Sequence, residues 1–164
     1  SYSAMTVEQI AEAADVSPST FFRYFTNKEA LLIPDQLMDP IIETFINAPA
    51  ELSPVGAYRL AVGQMFTGIS NSAWEPERAR QNLMYTLPEA RGALYSQYIE
   101  TIKQITEALA IRLNLPADDP RLRTTAGAIT GVIMASLHGA PMDPEDIYRS
   151  LDYLDAGLPL DDTD

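Results

Sequence analysis

Ser17, Ser19, Thr20, Arg23 and Tyr24 place three hydroxyls, a guanidinium and a phenol within eight residues, and Lys28 follows four residues later. Hydroxyls both donate and accept, and a guanidinium is a planar fork of donors, so this set suits phosphate oxygens and base edges rather than bond-making chemistry. The chain has no cysteine, which excludes disulfides, thiol nucleophiles and thiolate metal sites. His138 is the only histidine, so it has no companion for a metal triad and reads as a satisfied polar residue at a helix end. Asp118 and Asp119 stand before Pro120 and read as a helix N-cap rather than as paired catalytic carboxylates. No enzymatic activity, cofactor or metal is expected.

Short helices must hold these groups. Between Thr6 and Ala14, the residues Val7, Ile10, Ala11 and Ala14 form one stripe and Glu8 and Glu12 the other, with Thr6 and Gln9 spaced as a capping box. The helix stops at Asp15-Val16. Ser17 then reads as an N-cap and Pro18 as the first position of a second helix through Phe25, so the turn between them is tight. Val16, Phe21 and Phe25 are the apolar anchors expected to hold this helix against Ile10 and Ala14, leaving Ser19, Thr20, Arg23 and Tyr24 on or near the opposite face. Such a face can enter the major groove of DNA, where Thr20 offers a hydroxyl and a methyl, Arg23 meets guanine or phosphate, and Phe22 packs on sugar or a thymine methyl. Thr26-Asn27 offers another cap, and a third helix is expected to begin at Lys28.

Residues 15–32, DVSPSTFFRYFTNKEALL, preceded by TVEQIAEAA at 6–14, resemble the DNA-binding signature of the TetR family of regulators. The resemblance implies double-stranded operator DNA as a partner. It makes Thr6 a backbone contact, gives Ser17, Pro18, Ser19, Thr20, Phe22 and Arg23 the recognition-helix surface, and makes Tyr24 and Lys28 phosphate contacts. It also implies a first helix ahead of the motif, of which Ser1-Tyr2-Ser3-Ala4 is the trailing turn, so residues are expected upstream of Ser1.

Beyond Pro34 no run alternates apolar and polar residues for long enough to suggest a sheet, so the fold class is read as all-α. Helices are expected at 28–47, interrupted by Pro34 and Pro40, and at 54–70, 75–86, 88–113, 120–137 and 144–154. Turn residues at Ala48-Pro49, Asn71-Ser72, Leu87-Pro88, Leu115-Pro116 and Gly139-Ala140-Pro141 separate them. This divides the chain into a helix-turn-helix domain at 1–33 and a helical ligand-binding and dimerisation domain at 34–164.

Within the second domain, Arg78-Ala79-Arg80, LPEARGALY at 87–95, RLNLPADDPRLR at 112–123 and an Ala/Gly-rich helix follow in order. The order resembles the C-terminal domain of actinobacterial TetR-type regulators grouped as binders of acyl-CoA-like ligands, the mycofactocin-regulator-like subgroup. That resemblance implies a cavity for a small apolar or acyl ligand, bounded by Met65, Phe66, Ile69, Trp74, Asn82, Leu83, Tyr85, Tyr95, Tyr98 and Ile102. Arg78, Arg80 and Arg91 read as ion-pair partners of Glu75, Glu77 or Glu89, or as contacts for a phosphate-bearing ligand. A homodimer is expected through the last two long helices. There Ala126, Gly127, Gly131 and Ala135 allow close approach, and Ile129, Val132, Ile133, Leu151 and Leu154 supply apolar area.

The formal charge of −12 has the wrong sign for a protein that simply coats nucleic acid. It is uneven, however: residues 141–164 hold one basic residue, Arg149, against eight acidic ones, and this end is expected to lie far from DNA. Residues 1–33 hold Arg23 and Lys28 against Glu8, Glu12, Asp15 and Glu29. An acidic reader keeps a second reading open, a helical small-molecule-binding protein whose DNA reader has degenerated. No apolar stretch reaches the length of a membrane span, and a cytoplasmic protein without a membrane partner is expected. The leading expectation is a ligand-responsive repressor, released from a palindromic operator when its ligand tilts the helix at 28–47.

Overall fold

Thr6 and Gln9 start the first helix reciprocally: the Gln9 N–H donates to Thr6 Oγ1 at 3.3 Å and the Thr6 N–H to Gln9 Oε1 at 3.0 Å, which satisfies two otherwise orphaned donors. The computed structural model describes residues 2–33, 38–138 and 142–160, the side chain of Asn71 excepted. The breaks expected at Pro34 and at Gly139-Ala140-Pro141, and the acidic residues Asp161, Asp162 and Asp164, lie outside the described residues. Helices and turns make up the described residues, with no strand among them, so the all-α class holds. None of these helices is long and apolar enough to cross a membrane.

The helices are α1 (Val7–Ala13), α2 (Pro18–Tyr24), α3 (Met38–Asn47), α4 (Pro54–Gly68), α5 (Asn71–Thr86), α6 (Arg91–Leu113), α7 (Pro120–Leu137) and α8 (Pro144–Asp155). Short 3-10 turns occupy Tyr2–Ala4, Lys28–Leu32 and Pro88–Ala90. Proline sits in the first turn of α2, α4, α7 and α8, where its missing N–H costs nothing. Asp119 caps α7 as expected, accepting from the Arg121 N–H at 3.0 Å, and the Arg121 side chain holds its carboxyl down at about 2.

The segment expected to be helical at 28–47, with interruptions at Pro34 and Pro40, does not begin as an α-helix. Lys28–Leu32 is a 3-10 turn and α3 begins at Met38. Ile33 precedes Pro34 and is extended (φ −108°, ψ 113°), as the clash with a following proline ring demands. Pro40 falls in the first turn of α3, where it is tolerated. α5 begins four residues before the expected Glu75 and carries Pro76 within it, and the expected helix at 88–113 opens with a 3-10 turn.

The main core is built by α3, α4, α6, α7 and α8, with Phe45, Ile105, Leu109, Leu122, Ile129 and Leu151 almost wholly buried. Arg112 closes one end of it. Its guanidinium donates to the carbonyls of Ala48 and Pro49 at 2.6 Å each and of Leu52 at 3.1 Å, satisfying acceptors past the C-terminus of α3. A second, smaller cluster joins Leu32 behind the first two helices to Met84 of α5, Ala90, and Leu94 of α6. This cluster seats the N-terminal unit on the rest of the chain.

Candidate nucleic-acid interface and interior cavity

The turn between α1 and α2 is a Schellman motif: the Val16 N–H donates to Ala11 O at 2.9 Å and the Asp15 N–H to Glu12 O at 3.0 Å, with Asp15 left-handed at φ 55°. This reverses the chain in two residues and sets Ser17 at the start of α2. Ser17 Oγ accepts from the Thr20 N–H at 3.1 Å and is hydrogen-bonded to the hydroxyls of Ser19 at 2.8 Å and Thr20 at 2.9 Å. The first turn of α2 thus ends in a small hydroxyl cluster.

Phe21 is buried, and Phe25 rests against it with ring centroids 5.3 Å apart. On α1 Ala11 is fully buried, whereas Ala14, expected to hold α2, is exposed; Val16, expected as an anchor, also stands exposed. Outward from Phe21, Phe22 is 54% and Tyr24 67% exposed, and Ser17, Pro18, Ser19 and Arg23 are exposed as well. Arg23 stacks over the Tyr24 ring at 4.9 Å. Thr20 is half-buried and Thr6 exposed, so eight of the nine sequence-predicted contact residues share the surface around α2 and the start of α1.

Lys28, the ninth, is placed differently. Its ammonium donates to the carbonyls of Tyr2 at 3.3 Å, Ser3 at 3.1 Å and Met5 at 3.1 Å, and lies 5.1 Å from the Tyr2 ring centroid. Tyr2 Oη returns a hydrogen bond to Lys28 O at 2.7 Å. Three ammonium hydrogens meet three carbonyls, so a phosphate contact from Lys28 would exchange for one of them.

The interior cavity has a volume of about 130 Å³ between α3, α4, α5, α6, α7 and α8. Of the ten residues expected on its wall, Met65, Phe66, Tyr85 and Tyr98 border it. Trp74 instead packs edge-on against Phe66 at 5.9 Å, Leu83 joins the smaller cluster, Ile102 faces the main core and an open groove, and Asn82 and Tyr95 are exposed. Ile69 is half-buried outside the wall. Residues missed from sequence include Gln81, Leu94, Gln97 and Thr101, while Arg80, read as an ion-pair partner or a contact for a phosphate-bearing ligand, and Met84 also border it. Helical spacing carries the signal for them: 81, 84 and 85 on α5 and 94, 97, 98 and 101 on α6 repeat at three and four residues.

The wall is apolar with few polar groups. Burial, reinforced by the nearby Tyr98 phenol, holds the Tyr85 hydroxyl well above the ordinary tyrosine range. His138 packs on Tyr85 with centroids 5.0 Å apart, and its Nδ1 is 3.1 Å from Met134 O at the end of α7. Arg78 and Arg80 pair with Glu75 at 3.4 Å and Glu77 at 2.5 Å, the first two pairings read from sequence.

On the outside of α7, Gly127 and Gly131 have open space where a Cβ would stand, and Ala128 and Ala135 are exposed. Ala126, Ile129 and Leu151, expected at a dimer contact, are fully buried in the chain's own core and have no area to offer a second copy. The helical phase sends 126 and 129 inward and 128, 131 and 135 outward.

Comparison with known proteins matches residues 1–33 to the family described as bacterial regulatory proteins, tetR family, and residues 52–159 to the MftR C-terminal domain. The HTH-type transcriptional regulator TcmR of Streptomyces glaucescens is 34% identical over 118 residues, covering 66% of this chain, which spans 50% of the length of that relative. With a helix-turn-helix followed by a helical domain of that type, the chain belongs to the TetR family of transcriptional regulators.

Proposed function

We propose that this regulator acts as a ligand-responsive repressor: a homodimer that lays α2 of each copy into successive major grooves of a two-fold operator and leaves it when a small apolar or acyl ligand enters the interior cavity. The observation that carries the reading is the two-sidedness of α2. Phe21 is buried while Phe22 and Tyr24, on either side of the helix, are more than half exposed, so the helix is anchored by one face and free to dock by the other. In this reading Ser17, Ser19, Thr20 and Arg23 reach base edges and phosphates, Pro18 and Phe22 pack on sugars or thymine methyls, and Thr6 and Tyr24 meet the backbone. Lys28 positions the Tyr2–Ala4 turn beside them. Two copies meet through the outer faces of α7 and α8, and the protein works by binding rather than by catalysis.

The reader's excess of acidic residues favours one rival, a helical small-molecule-binding protein with a degenerate reader. Selection of binding sites from random duplexes separates the two. A two-fold sequence should emerge with half-sites about one helical turn apart, and Thr20→Ala and Arg23→Ala should relax discrimination by roughly 1–3 kcal/mol per lost base contact. No enrichment at low salt would leave the small-molecule-binding reading standing.

A further inference from the structure

Two polar atoms on the wall of the interior cavity have no partner. Gln81 is 9% exposed, and its amide nitrogen donates to Glu77 Oε1 at 3.2 Å. That bond orients the amide, so the buried, unpaired Oε1 is a fixed acceptor. Tyr98 Oη is likewise buried and makes no hydrogen bond of good geometry, although the Tyr85 phenol lies close enough to couple with it. Buried groups of this kind are answered by ordered water or by a ligand.

Size and charge narrow the occupant. The cavity, about 130 Å³, is close to an engineered protein cavity of about 150 Å³ that admits benzene, and well below the roughly 300–1,000 Å³ of pockets for drug-sized molecules. Arg80 is the only charged residue on the described wall, and its guanidinium is already taken by Glu77 and the Leu32 carbonyl. No cation there is free for a carboxylate or a phosphate, and burying an unpaired anion is prohibitive. Met65, Phe66, Met84 and Leu94 supply apolar wall.

We propose that this cavity takes a ring-sized, uncharged ligand of the phenol class, whose hydroxyl donates to Gln81 Oε1 and accepts from Tyr98 Oη while its ring fills the space between Met65, Phe66 and Met84. The proposal rests on the ligand-responsive reading. A hydroxyl answers both a free acceptor and a free donor, and an aromatic ring matches a space of about 130 Å³.

The test is calorimetric titration of the full chain with phenol, benzene and octanoyl-CoA, alongside the variants Gln81→Met and Tyr98→Phe. Phenol should bind at least about tenfold more tightly than benzene, and each variant should weaken phenol about tenfold while leaving benzene unchanged. Tyr98→Phe removes one hydroxyl and leaves the Glu77 network intact, so it reports on the site even where Gln81→Met unfolds the chain. Equal affinity for phenol and benzene, or phenol binding indifferent to Tyr98→Phe, overturns the proposal, because water alone then answers the two atoms. Octanoyl-CoA that binds and releases operator DNA where phenol does neither overturns the phenol class and keeps the ligand-responsive reading. Phenol that binds through Gln81 and Tyr98 yet leaves operator affinity unchanged supports the class and removes the regulatory reading instead.

Discussion

Arg80 donates through Nη1 to the backbone carbonyl of Leu32, while its Nε and Nη2 hold the Glu77 carboxylate at 2.9 and 2.5 Å. Arg80 borders the cavity, and Leu32 ends the turn that seats the DNA-reading unit on α5. One side chain therefore touches both the space a ligand would fill and the backbone that holds the reader. Because the Lys28–Leu32 turn and α3 are not one rigid helix, this contact offers a route between the two that a tilting rod does not.

Replacing Arg80 by Met keeps the stem and removes the fork. About four-fifths of both Arg80 and Glu77 is buried, so the loss should cost about 1–3 kcal/mol in urea unfolding, with Glu77 left short of a partner. Arg80→Lys should recover only part of it, since a single ammonium cannot span Glu77 and Leu32 together. On the coupling hypothesis, Arg80→Met binds ligand but no longer changes operator affinity in response. A variant whose operator still releases on ligand addition as fully as the parent's rules this contact out as the coupling route.

Asp15 sits left-handed at φ 55° in the turn between α1 and α2, a region where a residue with a Cβ is strained and Asp is tolerated rather than favoured. Asp15→Gly should stabilise the chain by up to about 1 kcal/mol, the glycine's extra freedom in the unfolded chain taking back part of the gain. Asp15→Asn serves as the control, because it removes the same charge while keeping a side chain. If Asn stabilises as much as Gly by thermal melting, charge rather than backbone strain is the cause.

The caps and turns of this fold are legible in the sequence because they are local: Thr6 with Gln9, Ser17 with Pro18, and Asp119 with Pro120 each act within three residues. The outward face of α2 is legible for the same reason, with Phe21 alone setting which side is buried. The cavity is less so. Apolar crowding along the chain picks out Leu83 and Tyr95, yet what borders a cavity is decided by helical phase and by which helices meet, and Gln81 and Thr101 enter it on that ground. Lys28 shows the limit from the other side, since nothing in its spacing tells that Tyr2, Ser3 and Met5 turn their carbonyls toward it.

Lys28→Ala separates a phosphate contact from a structural tie. A lost phosphate contact lowers the slope of log affinity against log salt by about one unit, whereas a lost tie weakens operator binding with the slope unchanged. With its three hydrogens engaged within the chain, Lys28 should behave as the tie. Operator titrations across a range of potassium chloride read this directly. A drop of a full unit in slope would mean that DNA displaces one of the three carbonyls.

Gly131→Arg tests the dimer without touching the fold. Gly131 is exposed in the middle of α7 with nothing within 4 Å of a would-be Cβ, so arginine there meets no clash in a single copy, and its helix propensity exceeds that of glycine by several tenths of a kcal/mol. The chain should melt at or above the parent's temperature when both are compared as monomers. Its neighbours in the outward phase, Ala128 and Ala135, are small, and a second α7 crossing this face would bring backbones close together with no room for a guanidinium or its water. Sedimentation should therefore show a monomer, and affinity for a two-fold operator should fall to that of a single half-site, because each copy then binds alone. Ala126→Arg is the contrast: Ala126 is fully buried in the chain's own core, so that variant should lose its structure rather than its partner. A Gly131→Arg protein that sediments as a dimer and binds operator like the parent would place the two-fold contact elsewhere than on the outer face of α7.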